Sequence, residues 1–343
     1  MDSVWSFWVP NVMAGCHSMN KLISNVLDAL IVPGFSRIGY ISRSRLNNWE
    51  DVSTFDLAGK VIVITGPTSG LGAECVRTLA PTGAQLVLVA RNAEKCAAII
   101  DSVASLCTGP QPVCVVAEMG DLASVQNAGQ SIAAQFPQVH ALVHNAGALL
   151  NTRELSPQRT EQTIASHVLG PHLLTTLLLQ QLHAAQGRVI TVSSGGMYSA
   201  ELPMIGPGRT LEMREDAYNG SKQYAIAKRA QVTLNEMWAE KERSIHFDAM
   251  HPGWADTPGV QESIPKFRQI TKPILRSLKQ GSDTISWLAA VQPIPGASGS
   301  FWSDREIRSI HKIPTTKRSD TRDARTNLWN WCNQMIAPYL DKP

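Results

Sequence analysis

Two tyrosines in this chain each have a lysine four residues downstream: Tyr218 with Lys222, and Tyr224 with Lys228. A phenol holds its proton with a pKa of about 10, so it serves in proton transfer at neutral pH only if something lowers that value. A lysine one helical turn away brings a positive charge that does so. The chemistry that suits such a pair is protonation of an alkoxide as it forms from a carbonyl, while a further donor holds the oxygen. Ser194, just beyond the apolar run Arg188 to Val192, has the type and place for that donor.

A second constellation is Val61-Ile62-Val63-Ile64-Thr65-Gly66-Pro67-Thr68-Ser69-Gly70-Leu71-Gly72. Four β-branched residues read as a strand buried on both faces, which empties into a glycine-rich turn and a helix start at Leu71. Gly66 permits a sharp turn, Gly70 removes a side chain where backbone must approach a pyrophosphate, and Gly72 lets the helix pack close to the strand. The helix N-terminus offers free N–H donors and a partial positive charge to the anion.

Positioning these groups requires a parallel sheet covered by helices. From Lys60 onward, buried strands alternate with amphipathic helices. Strands are expected at Val61–Ile64, Gln85–Ala90, Val113–Ala117, Val139–Val143, Arg188–Val192, Ile245–Met250 and Ser300–Ser303. Helices are expected near 71–81, 93–106, 122–136, 158–184, 221–241 and 282–291, with a kink at Gly170-Pro171. The segment from Pro252 to Gln280 reads as an irregular lid over a substrate pocket.

The same reading chooses between the two tyrosine–lysine pairs. Tyr218 and Lys222 enclose Asn219-Gly220, a turn signal and a poor helix interior. Ser221 can instead cap a helix in which Tyr224 and Lys228 stand one turn apart. Tyr224 and Lys228 are therefore the assigned pair, with Tyr218 a loop residue near the pocket.

Six signals fall in order at the ends of successive strands, where an open parallel sheet binds ligands. They are Thr65-Gly66-x-x-x-Gly70-x-Gly72, Asp121-Leu122, His144-Asn145-Ala146-Gly147, Ser193-Ser194, Tyr224-x-x-x-Lys228 and Pro252-Gly253-x-x-x-Thr257. Together they resemble the short-chain dehydrogenase/reductase family over roughly residues 57–305. The resemblance implies an α/β, Rossmann-like doubly wound parallel sheet of about seven strands with helices on both faces. It implies an oxidoreductase that interconverts a carbonyl and an alcohol by hydride transfer, with Ser194 orienting, Tyr224 moving the proton and Lys228 lowering its pKa. The nucleotide would lie on Gly66, Thr68, Ser69, Gly70, Leu71 and Gly72. Asp121 and Leu122 would meet adenine, Asn145, Ala146 and Gly147 the adenine ribose, and Tyr224 and Lys228 the nicotinamide ribose. Pro252, Gly253 and Thr257 would meet the nicotinamide end.

The chain departs from the family at His167, which aligns with the asparagine that helps hold a water in the proton relay. Histidine can bond water, yet it is larger and titrates near neutral pH. A plain buried histidine is the other reading of that position. Cofactor choice turns on Ala90-Arg91-Asn92 at the end of the second strand. An acid there would bond both ribose hydroxyls of NAD(H), whereas Arg91 can clamp a 2′-phosphate, so NADP(H) is favoured.

Composition sets the remaining bounds. A net charge of +3 over 343 residues argues against nucleic acid as a partner, and 43% hydrophobic residues describe a globular chain. The six cysteines show no paired framework. Residues 1–56 form an N-terminal extension, with Trp5, Phe7, Trp8 and Val9 clustered and Leu22, Ile23, Val26, Leu27, Leu30 and Ile31 at helical spacing up to Pro33-Gly34. No spanning helix or secretory signal is read there, which places the protein in the cytoplasm or peripheral to an intracellular membrane, not secreted. Contact with a membrane surface through residues 1–45, near Arg37, Arg43 and Arg45, is one reading, and packing against the body is the other. Residues 306–343 form a tail, basic and then amphipathic around Leu328, Trp329, Trp331 and Met335. Met197, Met204, Met213 and Trp254 suggest a small apolar carbonyl or alcohol substrate. The resemblance also implies a homodimer or homotetramer through the two long helices. A second function, a dinucleotide-binding sensor of little catalytic power, is motivated by His167 and the duplicated tyrosine–lysine motif.

Overall fold

A computed structural model describes residues 23–340 except 25 and 29. Trp5, Phe7, Trp8, Val9 and Leu22 therefore lie outside the described residues. The strands are β1 (Val61–Thr65), β2 (Gln85–Ala90), β3 (Val113–Val116), β4 (Ala141–His144), β5 (Arg188–Val192), β6 (His246–Met250), β7 (Ser300–Ser303) and β8 (Glu306–Ile307). They form one sheet in the order β3-β2-β1-β4-β5-β6-β7-β8, parallel except for the final pair. Eight strands replace the expected seven, because the chain turns back after β7 at Asp304-Arg305. Both turn residues have φ near +55°, which a two-residue hairpin demands and ordinary side chains resist. Buried ion pairs from Arg43 and Arg276 to Asp304, and from Arg305 to Asp283, hold them there.

Helices α1 (Ile31–Phe35), α2 (Arg37–Leu46), α3 (Gly70–Leu79), α4 (Ala93–Val103) and α5 (Leu122–Gln135) come first. The long helical run is broken into α6 (Gln162–Ile164), a π-turn at Ala165–Leu169, α7 (Gly170–Leu177) and α8 (Leu179–Ala185). The irregularity expected at Gly170-Pro171 thus takes the form of a wide turn carrying His167. After it come α9 (Gly220–Lys241), α10 (Pro258–Ser263), α11 (Pro265–Thr271), α12 (Leu278–Ala290), α13 (Pro314–Ser319) and α14 (Arg322–Ile336). The lid segment is accordingly partly helical.

Alternation along each strand sends residues to two cores. Ile62, Ile64, Leu86, Leu88 and Ile190 face α3, α4 and α12. Val63, Val87, Val89, Leu142 and Val189 face α5, the helical run, α9 and α14. The tail helix α14 buries Leu328, Cys332 and Ile336 completely across α7 and α9, the two aliphatic side chains worth roughly 1.5–3 kcal/mol of transfer each. It lies on the two long helices through which self-association was expected.

At the other terminus, Pro33-Gly34 does not end the first helical pattern. Leu30, with an extended backbone, caps α1 as a separate helix, and Pro33-Gly34 lies inside it with Gly34 N–H donating to Leu30 O, since a proline in the first turn lacks only an N–H that has no helical partner there. Ile23, Val26, Leu30, Ile31, Val32 and Ile38 present exposed apolar side chains, whereas Gly34, Phe35 and Arg43 are buried. Among the described residues no helix is long and apolar enough to cross a membrane.

Candidate active site

Because β1 to β6 are parallel, their C-terminal ends share one edge of the sheet, and the predicted site residues gather along it. β1 ends at Thr65 and turns through Gly66 (φ +66°) and Gly70 (φ +54°) into α3. A Cβ on Gly66 would stand 2.7 Å from Ala146 Cα, and one on Gly72 would collide with the Gly66 carbonyl and the Asn145 amide. Thr68 and Leu71 are half-buried and Ser69 is exposed in this turn. Asn145 Nδ2 donates to Thr65 O at 3.1 Å and Gly66 O at 3.0 Å, while Asn145 and Ala146 N–H both donate to Thr65 Oγ1. Asn145 thus braces the glycine turn from below. The Thr65 hydroxyl, named in the motif without a role of its own, does the same for the β4 end.

Arg91 follows β2 with 81% of its side chain exposed and a loose pair to Glu118 at 3.7 Å. Asp121 caps α5 through Ala123 N–H and accepts from Gln158 Nε2 at 2.8 Å; Leu122 beside it is buried. Gln158 also accepts from Leu122 N–H, so it fixes both residues, a role that nothing in the local pattern announced. After β6, Gly253 takes φ +71°, and Thr257 Oγ1 caps α10 by accepting from Val260 N–H. A Cβ on Gly70 would lie 3.6–3.9 Å from Pro258 and Thr257, so the start of α10 touches the glycine turn.

The candidate acid–base pair depends on how α9 begins. Asn219, not Ser221, is the cap: its Oδ1 accepts from Lys222 N–H at 3.0 Å. The Asn-Gly turn therefore stands at the helix start, where an asparagine side chain competes well for free N–H groups. Tyr218 lies outside the helix, and its hydroxyl donates to Glu161 Oε1 at 3.0 Å. Tyr224 and Lys228 lie within it, with Lys228 Nζ 5.4 Å from the Tyr224 ring centre. Lys228 is held at two points by β5: Nζ donates to Val192 O at 2.9 Å, and its own carbonyl accepts from Ser193 Oγ at 3.0 Å. Ser194, half-buried, accepts from Gly196 N–H, and its hydroxyl lies close enough to Tyr224 to favour the phenolate.

Electrostatics here differ from the sequence expectation. Burial raises the Tyr224 pKa against the pull of Ser194, and burial alone pushes Lys228 down to about 7. Desolvation disfavours both charged forms. A lysine that titrates near 7 is matched to passing a proton on at neutral pH.

His167 is fully buried, with its ring 5.4 Å from Tyr224 and edge-on to it. Burial first, then the charge of Lys228, keeps its pKa well below the usual histidine range, so the ring is neutral. Neither ring nitrogen has a hydrogen-bond partner of good geometry. A Cβ on Gly147 would collide with the ring, which explains why glycine follows Ala146. Behind His167 lies a cavity of about 30 Å³, lined among others by His144, Gln231 and Asn235, each with an unpartnered polar atom. That volume has room for about two waters. Gln231, itself absent from the sequence reading, donates to the His167 carbonyl at 2.7 Å.

Met197, expected near a substrate, is completely buried in a small core with Phe35 and Tyr198. Met204 is exposed beside Asn327, and Met213 bonds Gln223 through its N–H. Trp254, between Phe35 and Phe267, lies in the turn after β6.

The model of the short chain dehydrogenase family matches residues 60–206. Dehydrogenase/reductase SDR family member 12 from Homo sapiens is 36% identical over 264 residues, covering 74% of this chain and 80% of its own. Retinol dehydrogenase 12 from Homo sapiens is 26% identical over 286 residues, covering 82% and 87%. A crystal structure of an uncharacterized Mycobacterium paratuberculosis protein matches with a TM-score of 0.64 at 22% identity, covering 84% of this chain and 97% of that one.

Proposed function

This chain belongs to the short-chain dehydrogenase/reductase family of oxidoreductases, with its NAD(P)-binding Rossmann fold, and on that premise we propose that it interconverts a carbonyl and an alcohol on a small apolar substrate, using NADP(H). The observation that carries this reading is the convergence of Ser194, Tyr224 and Lys228 on one edge of the sheet, beside a glycine turn that a Cβ would obstruct. When bound, the nucleotide supplies or accepts the hydride. Free N–H groups at the start of α3 suit its phosphates.

Ser194 holds the substrate oxygen, and Tyr224 gives that oxygen its proton during reduction. Lys228, poised near neutrality, restores the proton to the phenol. Being neutral, His167 adds no charge that would compete with Lys228; its edge-on contact keeps the Tyr224 ring in place. Arg91 reaches outward at the end of β2, and a planar guanidinium there suits a 2′-phosphate.

The test is a fluorescence titration with NADPH and NADH, followed by cofactor oxidation with apolar aldehydes and ketones. NADPH should bind at least about tenfold tighter than NADH, and Arg91→Ala should erase most of that preference. An unchanged preference in Arg91→Ala removes Arg91 as its source, and nucleotide binding without turnover across the panel favours the sensor reading.

A further inference from the structure

Residues outside the nucleotide fold reach the same edge of the sheet. At the junction of α1 and α2, three successive carbonyls point at the segment after β6. Gly34 O accepts from Arg276 at 3.0 Å and from Arg43 at 3.2 Å, Phe35 O accepts from Trp254 N–H at 2.8 Å, and Ser36 O accepts from Arg276 Nε at 3.2 Å. Arg276 also donates to Pro252 O at 3.2 Å. Asp304, fully buried, joins Arg43 and Arg276 from the β7–β8 turn, with Arg276 distances of 2.5 and 2.8 Å. Removing any one member leaves buried charge without its partner, which makes the link costly to open.

The Phe35 ring extends this link to the serine turn. It lies 4.4 Å from the His251 ring and 6.0 Å from Trp254, edge-on. A Cβ on Gly195, the residue after Ser194, would stand 2.5 Å from Phe35 Cε2. Ring carbon therefore packs directly on the backbone of the turn that presents the serine hydroxyl. At the other end of the site, the Arg91 and Asp121 side chains bond Glu118, Ala123 and Gln158 instead.

From this we infer that residues 34–43 are a working part of the site rather than a leader or tether, with Phe35 the positioning residue that sets both the Ser194 turn and the Pro252–Thr257 turn at the nicotinamide end. The inference rests on the NADP(H) reading above. It divides the site in two: the nicotinamide end depends on the N-terminal segment, and the adenosine end does not. A displacement of about 1 Å at a reacting centre can cost on the order of a hundredfold in rate, so a ring that touches the serine turn has leverage.

The experiment uses the full chain and two probes, NADPH for the whole site and 2′,5′-ADP for its adenosine end. Phe35→Ala should lower turnover at least about tenfold and weaken NADPH, with 2′,5′-ADP affinity within about twofold of wild type. Phe35→Leu, which refills most of the space, should recover most of the loss. Gly195→Ala attacks the same contact from the other side, and should lose turnover alone but regain it combined with Phe35→Leu, whose smaller side chain admits the added methyl. Should Phe35→Ala fail to fold, that rescue decides the matter. Unchanged turnover in Phe35→Ala, equal loss of both probes, or no rescue of Gly195→Ala overturns the inference. A wild-type chain that binds neither probe refutes the nucleotide reading instead.

Discussion

Tyr218 and Lys222 have the same spacing as Tyr224 and Lys228, and the two pairs begin only six residues apart, yet the fold treats them differently. Asn219 caps α9 between the members of the first pair, so Tyr218 belongs to the preceding loop and its hydroxyl goes to Glu161. Burial drives the Tyr218 pKa up to about 12, against a pull from Thr163 and with a push from that carboxylate. Lys222 is exposed. The second pair lies wholly inside the helix, faces β5, and has its lysine fixed at both ends by Val192 and Ser193. Residue types and spacing are thus necessary but insufficient: a motif counted in residues becomes a motif in space only where the helix has already begun.

Substitutions at the two pairs break or sharpen that contrast. The largest effect belongs to Tyr224→Phe, which should lower turnover on the order of a thousandfold while NADPH still binds, as read by steady-state rates and fluorescence titration. Equal loss from Tyr218→Phe would transfer the acid–base role to the first pair. Tyr218→Phe should instead cost about 1 kcal/mol of stability in urea unfolding and only a few-fold in rate, since Glu161 keeps its bonds to Thr163 and Ile164 N–H.

Between these lies a stability effect at Lys228. Its folded pKa is about 7 against 10.5 for an ordinary lysine. Between those values the unfolded chain holds more protons than the folded one, so stability rises with pH across this window. The burial penalty is fully present below 7 and gone above 10.5. Lys228→Met should therefore be more stable than wild type at pH 6, on the order of a few kcal/mol, with the gap closing towards pH 10. Urea midpoints measured against pH check this, and a gap independent of pH would mean that Lys228 is not desolvated. The smallest effect is Lys222→Ala, expected within about 0.5 kcal/mol in stability and twofold in rate.

Much of this arrangement was legible beforehand. Strands β2, β5 and β7 begin and end at the expected residues, and β1 extends the expected run by one, because β-branched runs bounded by glycine or polar residues are a local signal. Gly66 makes the sharp turn and Gly72 the close approach that their spacing implied, and Gly70 adds a positive φ that the spacing did not announce. The cap of α9 was misplaced by two residues, since Asn-Gly marks a turn and a helix start equally well. The eighth strand was missed because two residues in a hairpin carry no periodicity.

By itself, then, the sequence determined the alternating architecture, the edge of the sheet along which the candidate site residues gather, and the residue types available for acid–base work. All of these follow from patterns a few residues long. Only the tertiary structure decided that Thr65 and Asn145 brace the glycine turn, that Gln158 fixes Asp121, that α14 covers the long helices, and that Phe35 and Asp304 tie the N-terminal segment to the site. Each of these contacts joins residues distant along the chain, and their energies arise from burial and hydrogen bonding that exist only once the sheet has brought them together.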